Sequence, residues 1–362
     1  MKKYKEENPI ALTKTVVDGL TTKFNLSLLD EREKYFEAKV GKEITELKKY
    51  FENNTFIAYW MGKKNSGKGT YSKFMVEIFG KDRIAHVSVG DVVRSAHTDM
   101  ADEDKKKELL DYLSVHYRGY ISLDQAIDAL LGRNTASLLP SEFILALIKR
   151  EIDKTPKKII FIDGFPRELD QVSYTLFLRD LIDYRKDPDV FIAIDIPEFV
   201  IDERMKNRVV CPECHTPRSL KLLTTPEVGY DQEKKEFYLI CDNPKCNNVR
   251  MGSKEGDNAG IESIRDRLEL DEKLIETVFS LHGVPKILLR NSIPTKDVNG
   301  LVDDYEITPE YSYQLNPDNS VKTIESEWII KDDEGQDAYS LLAPAVVVSL
   351  IKQLHTLFLK DS

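Results

Sequence analysis

The sequence predicts a three-layer α/β/α fold around a five-stranded parallel sheet, and three observations carry that prediction. Five short apolar runs, Phe56–Met61, Ile84–Ser88, Lys158–Ile162, Val190–Asp195 and Lys286–Arg290, have strand length and are flanked by turn residues. They alternate with stretches of helical periodicity, the order expected when parallel strands are joined by crossover helices. The first run is followed at once by the glycine-rich turn Gly62-Lys63-Lys64-Asn65-Ser66-Gly67-Lys68-Gly69-Thr70. Ligand-binding loops of such sheets gather at the carboxyl ends of the strands.

Before the first strand, Leu28–Glu52 places Leu29, Phe36, Val40, Ile44, Leu47 and Phe51 at helical spacing among charges. Residues 1–55 are therefore read as a helical extension that packs on the rest of the chain or on a second copy. The turn at 62–70 reads as a phosphate-cradling loop, in which successive backbone N–H groups point into one concavity and the following helix N-terminus adds its positive end; the alternative is a lysine-bearing turn that binds nothing. Asn65, Ser66, Gly67, Lys68, Gly69 and Thr70 would line that concavity, with Lys68 reaching the terminal phosphates. Farther on, Asp102–Tyr117 and Ser122–Leu131 read as helices, and the third strand runs into Phe161-Ile162-Asp163-Gly164-Phe165-Pro166-Arg167 with Gln171 four residues on. Residues 294–327 are polar with Tyr305, Tyr311 and Tyr313 interleaved, which fits either an extra hairpin or a loose loop.

The chain has four cysteines, Cys211-Pro-Glu-Cys214 and Cys241-Asp-Asn-Pro-Lys-Cys246. A C-x2-C followed by a C-x4-C, each with proline in the turn, fits a closed tetrahedral Zn²⁺ site. Thiolates alone would also hold iron, and the readings without a metal are two disulfides or four inert thiols. A small β-rich flap has almost no core, so a metal would supply its folding energy. His215 is a competing ligand.

Together these strings resemble the adenylate kinases and their nucleoside monophosphate kinase relatives. The resemblance also rests on Ser88-Val89-Gly90-Asp91-Val92-Val93-Arg94, on Glu203-Arg204-Met205-Lys206-Asn207-Arg208 and on Glu262-Ser263-Ile264-Arg265-Asp266-Arg267-Leu268. It covers roughly 56–288 and a C-terminal piece from about Trp328. It implies a P-loop kinase-like core (56–88, 141–208 and 260–362), an enlarged helical monophosphate-binding domain (89–140) and a small β-rich zinc lid (209–259). The activity implied is ATP + AMP ⇌ 2 ADP with Mg²⁺. Lys68, Arg94, Arg167, Arg204, Arg208, Arg267 and Asp163 would be the catalytic set, with Asp163 orienting water around Mg²⁺ and Asp91 a second candidate for that shell. ATP would meet the loop, Arg204, Arg208 and the turn residues Gly335 and Gln336. AMP would meet Val89, Arg94, Leu138, Leu139, Gly164, Arg167, Gln171 and Arg267. Such transfers need positioning and charge stabilisation, which guanidinium groups supply in bidentate form.

Some positions depart from the family pattern. Asn65 stands where glycine is usual, Lys64 where proline is common, and Val89 where many members have threonine; the last leaves UMP, CMP or dAMP as acceptors, or a GTP donor, as alternatives. The family's lid arginine before paired aspartates is missing at Gly256-Asp257-Asn258, and Arg250 is its substitute on this reading. A rival of another class is a nucleotide-dependent switch that holds a partner through its zinc ribbon.

With 52 basic against 62 acidic residues the net charge is −10, which disfavours non-specific nucleic-acid binding. No apolar stretch has the length of a membrane span. The N-terminus lacks a secretory apolar region, so the expected setting is cytoplasmic. The expected partners are nucleotides, with the chain a monomer or a homo-oligomer built through its N-terminal extension.

Overall fold

The computed structural model describes residues 14–133, 139–155, 157–169, 171–172, 187–253 and 256–360. The central sheet is formed by β1 (Ile57–Met61), β2 (Ile84–Ser88), β3 (Ile159–Asp163), β4 (Asp189–Asp195) and β10 (Lys286–Arg290), all parallel, in the order β10-β4-β1-β3-β2. The five apolar runs are these five strands. β1 lies at the centre because each of its residues is buried, as a strand covered on both faces requires.

Alternation along β1 assigns the layers. Ala58 and Trp60 face one apolar cluster with α1 (Leu29–Tyr50), α2 (Lys68–Phe79) and the C-terminal helix α9 (Ala343–Leu359). Ile57, Tyr59 and Met61 face the other, with α6 (Ser141–Asp153) and α8 (Arg265–Ser280). After β1 the chain passes to β2 on one side and later to β4 on the other, so the sheet's switch point lies at the carboxyl end of β1. A crevice opens at such a point.

Two smaller units flank this core. The helices α3 (Val89–Asp99), α4 (Glu103–His116) and α5 (Leu123–Leu130) close over Phe143 and Leu147 of α6 with a cluster of their own around Leu109, Leu113 and Ile127. Between α7 (Glu198–Lys206) and α8, the strands β5 (Arg208–Val210), β6 (Pro217–Ser219), β7 (Val228–Asp231), β8 (Glu236–Leu239) and β9 (Gly252–Ser253) enclose Val209, Leu239, Met251 and the cysteines. No described helix is long and apolar enough to cross a membrane.

After β10 come β11 (Ser292–Pro294), β12 (Glu310–Leu315), β13 (Val321–Ser326), β14 (Ile329–Lys331) and β15 (Asp337–Ser340). The polar segment forms a hairpin, β12 pairing antiparallel with β13. It reaches the cysteine-bearing unit: the Tyr313 hydroxyl donates to Leu220 O (2.6 Å), its ring lies 5.5 Å from that of Phe237, and the Tyr311 N–H donates to Lys221 O at 2.7 Å.

The N-terminal helix packs against α9, where the Tyr50 and Phe358 rings stack at 5.5 Å. Its polar anchor is Glu306, fully buried, which accepts from Tyr35 Oη, from Thr15 Oγ1 and from the Asp303 N–H at 2.7 Å, with Lys39 Nζ 3.6 Å away. Removing one member of a buried charged network leaves the others desolvated without compensation. Glu306→Ala should therefore lower the free energy of unfolding by about 3 kcal/mol or more, read by urea denaturation.

Candidate active site

The phosphate loop leaves β1 and enters α2 through two left-handed residues, Asn65 (φ 65°) and Gly67 (φ 108°). At Gly62 a Cβ would lie 2.7 Å from Ser66 Oγ and 3.3 Å from Ile194 Cβ, so only glycine lets the loop turn this tightly off the strand. Lys68 bends back over the loop, donating to the carbonyls of Gly62 (2.7 Å) and Lys63 (3.2 Å), with Asp163 Oδ1 3.9 Å away. Burial lowers the lysine's pKa, and the carboxylates of Asp163 and Asp271 oppose that shift. The loop is braced from below: Lys63 Nζ donates to Glu198 at 2.9 Å, and Arg265 donates to the same carboxylate at 2.7 Å.

Two cavities open on the loop. One, of about 410 Å³, is lined by Lys64, Gly164, Arg167, Arg267 and Asp271 among others. The second, of about 480 Å³, is lined by loop residues through Thr70 and by Arg204, Arg208, Arg218, Thr308 and Leu341 to Ala343. They share three residues: Asn65, Lys68 and Asp163.

The arginines are held in different ways. Arg204 donates to Asn65 O and to Asn291 Oδ1, both at 3.3 Å, and has no carboxylate partner among the described residues; burial lowers its pKa. Arg208 is gripped by Asp257 at 2.6 and 2.8 Å and by Asn65 Oδ1 at 2.8 Å. Arg267 pairs with Asp271 (2.7 Å) and donates to Arg167 O (3.0 Å). Burial pushes the Asp271 carboxyl up, against the pull of Arg267, Lys68 and Arg167.

Of the sequence-predicted residues, the structure brings Asn65, Ser66, Gly67, Lys68, Gly69, Thr70, Asp163, Gly164, Arg167, Arg204, Arg208 and Arg267 to the two cavities. Arg94 lines neither; it is exposed and pairs with Asp91 on its own helix. Val89 is buried in the core, Leu139 packs against the helical cluster, and Leu138 lies outside the described residues. Gln171 is buried, its Oε1 accepting from Arg167 N–H (2.8 Å) and its Nε2 donating to Ser141 Oγ (2.9 Å).

Two of the expected contacts lie away from both cavities. Gly335 and Gln336 line neither cavity: the turn closes on Asp332, whose Oδ1 accepts from Gln336 N–H at 2.8 Å, while Asp333 accepts from Glu198 N–H at 2.9 Å. Strand β15 intervenes, and Leu341–Ala343 takes the place beside the loop. Arg250 is drawn away to Asp231 and Glu236, both at 2.7 Å, over the Tyr238 ring. Arg218 and Asp271 are among the lining residues that the sequence did not single out. Arg218 lines the second cavity while donating to Asp242 (2.6 Å), and Asp271 follows Arg267 by four residues on one helix, a spacing visible in the sequence.

The four cysteines converge, with their sulfurs all within 4.8 Å of one another and none in a disulfide. Cys214 and Cys241 Sγ are 3.7 Å apart, close to the roughly 3.8 Å that tetrahedral bonds of about 2.3 Å to one Zn²⁺ require. His215 is outside this cluster. The four sulfurs can therefore hold one metal ion.

A parallel sheet with a phosphate loop at its switch point and two arginine-lined cavities sharing one lysine define a phosphate-loop phosphotransferase. The AAA domain family matches residues 62–210. The chain is 27% identical over 245 residues to the adenylate kinase of Staphylococcus epidermidis, covering 67% of this chain and 94% of that protein. It is 28% identical over 233 residues to that of Thermotoga petrophila (64% and 87%) and 26% identical over 245 residues to that of Staphylococcus aureus (67% and 94%). The chain is a homologue of the adenylate kinases.

The cysteine cluster generates a direct test. Purified protein should carry one metal ion per chain, and Cys241→Ser should lose it along with the protection of β5–β9 amides from hydrogen exchange, while the β1–β4 amides stay protected. Metal content measured by plasma emission and exchange by mass spectrometry report both.

Proposed function

We propose that the protein transfers the γ-phosphoryl group of ATP to AMP, yielding two ADP. The observation that carries this reading is the meeting of two cavities at Lys68, Asp163 and Asn65: a donor and an acceptor can be held on opposite sides of one lysine. The larger cavity, with the loop, Arg204, Arg208 and the apolar Leu341–Ala343 edge, suits the donor. The smaller, with Arg167 and Arg267, suits the acceptor phosphate, with Gln171 behind Arg167 at the acceptor side. On this reading 89–140 covers the acceptor, 209–259 is the lid, and its metal is Zn²⁺.

Lys68 would leave the Gly62 and Lys63 carbonyls for the phosphates, an exchange of neutral for charged acceptors that strengthens each hydrogen bond. Among the described residues Arg204 has no carboxylate to abandon. Arg208 keeps Asp257, which fixes its plane. Asp163, at the end of β3 in the wall shared by both cavities, would hold the water shell of Mg²⁺, which neutralises phosphate charge as it builds. Closing the lid would exclude the water that otherwise accepts the group.

The test is initial rates of nucleoside diphosphate formation from Mg·ATP with AMP, dAMP, GMP, CMP and UMP. AMP should be preferred, and Lys68→Ala should cut turnover by ~10²-fold or more without altering the melting temperature. Preference for another acceptor would reassign the substrate, and absence of transfer to all five would overturn the proposal.

A further inference from the structure

Glycine would meet the left-handed backbone at position 65 without cost, so the asparagine side chain invites a role of its own. Its Oδ1 accepts from Arg208 Nη1 at 2.8 Å, and its carbonyl accepts from Arg204 Nη1 at 3.3 Å. A guanidinium only donates, so this contact fixes which end of the amide is oxygen. The Nδ2 group is thereby set as a donor, and it is buried with no partner among the described residues. A buried donor without an acceptor is unfavourable and rare. The same residue lines both cavities beside Lys68 and Asp163.

We propose, resting on the phosphotransferase reading above, that the Asn65 side chain acts on the phosphoryl group in transit: Oδ1 holds Arg208 in place, and Nδ2 donates to a non-bridging oxygen of that group. In the transfer, the bond from the γ-phosphorus to the β–γ bridging oxygen breaks and its electron pair leaves with ADP. An oxygen of the acceptor monophosphate forms the new bond to phosphorus. The amide donates a hydrogen bond throughout and neither gains nor loses a proton. Because charge spreads over the equatorial oxygens as the group moves, such a donor counts for more in the transition state than with bound ATP.

The experiment compares Asn65→Gly and Asn65→Asp with the parent, full length and metal-loaded, with ATP and the preferred acceptor. Asn65→Gly keeps the loop conformation and should lower kcat by ~10²-fold with the KM for ATP and the melting temperature little changed. Asn65→Asp retains an acceptor for Arg208 but replaces the donor with a carboxylate, and should be at least as impaired. A glycine variant within about twofold of the parent in kcat, or one impaired only in ATP affinity, overturns the proposal, as does an aspartate variant with parental activity. A parent that transfers to no monophosphate overturns the phosphotransferase reading itself, and this inference with it; an active parent with an unimpaired glycine variant overturns this inference alone.

Discussion

The structure is organised around positive charge that the protein leaves without full compensation. Among the described residues the half-buried Arg204 guanidinium meets only neutral oxygens, from Asn65 and Asn291. Such an arrangement is costly in a low-dielectric site unless an anion completes it. Keeping it in place takes the surrounding layers. Asn291, wholly buried, is itself held by the Leu341 carbonyl at 3.1 Å and the Ser340 hydroxyl at 2.9 Å, which ties the end of β10 to β15 and the start of α9. The chain's net negative charge makes the contrast sharper: cationic groups are concentrated in the crevice while the chain as a whole is acidic.

What could be read in the sequence was local. The five strands, the loop, Asp163 at the end of β3 and the cysteine pairs depend on patterns within a few residues, and fixed spacing transmits them to the fold. Long-range placements were harder. Gly335 and Gln336 were aligned to the turn before the last helix, but β15 shifts the cavity-lining turn to Leu341–Ala343. Arg250, read from its place downstream of the cysteines as the substitute lid arginine, is held by two carboxylates and the Tyr238 ring. Arg218 carries no local signal. It enters the cavity because β6 pairs with β5, the strand that begins at Arg208, placing Arg218 opposite Val209.

The insertions are integrated rather than appended. The β12–β13 hairpin binds the cysteine-bearing unit through Tyr311 and Tyr313, and Thr308, two residues before it, lines the larger cavity. Movement of that unit would therefore have to carry the hairpin or break those bonds. At the other end, α1 fills the groove beside α9, so the apolar face read in the sequence becomes part of the main core.

On the proposed function the two cavities bind two nucleotides at once, phosphate toward phosphate, across Lys68. Calorimetric titration with a molecule of two adenosines joined by five phosphates tests it most directly, because that ligand can span both cavities. The account predicts one molecule bound per chain, at least ~10²-fold more tightly than ATP alone. Affinity no greater than that of ATP, or binding of two such molecules per chain, would contradict it.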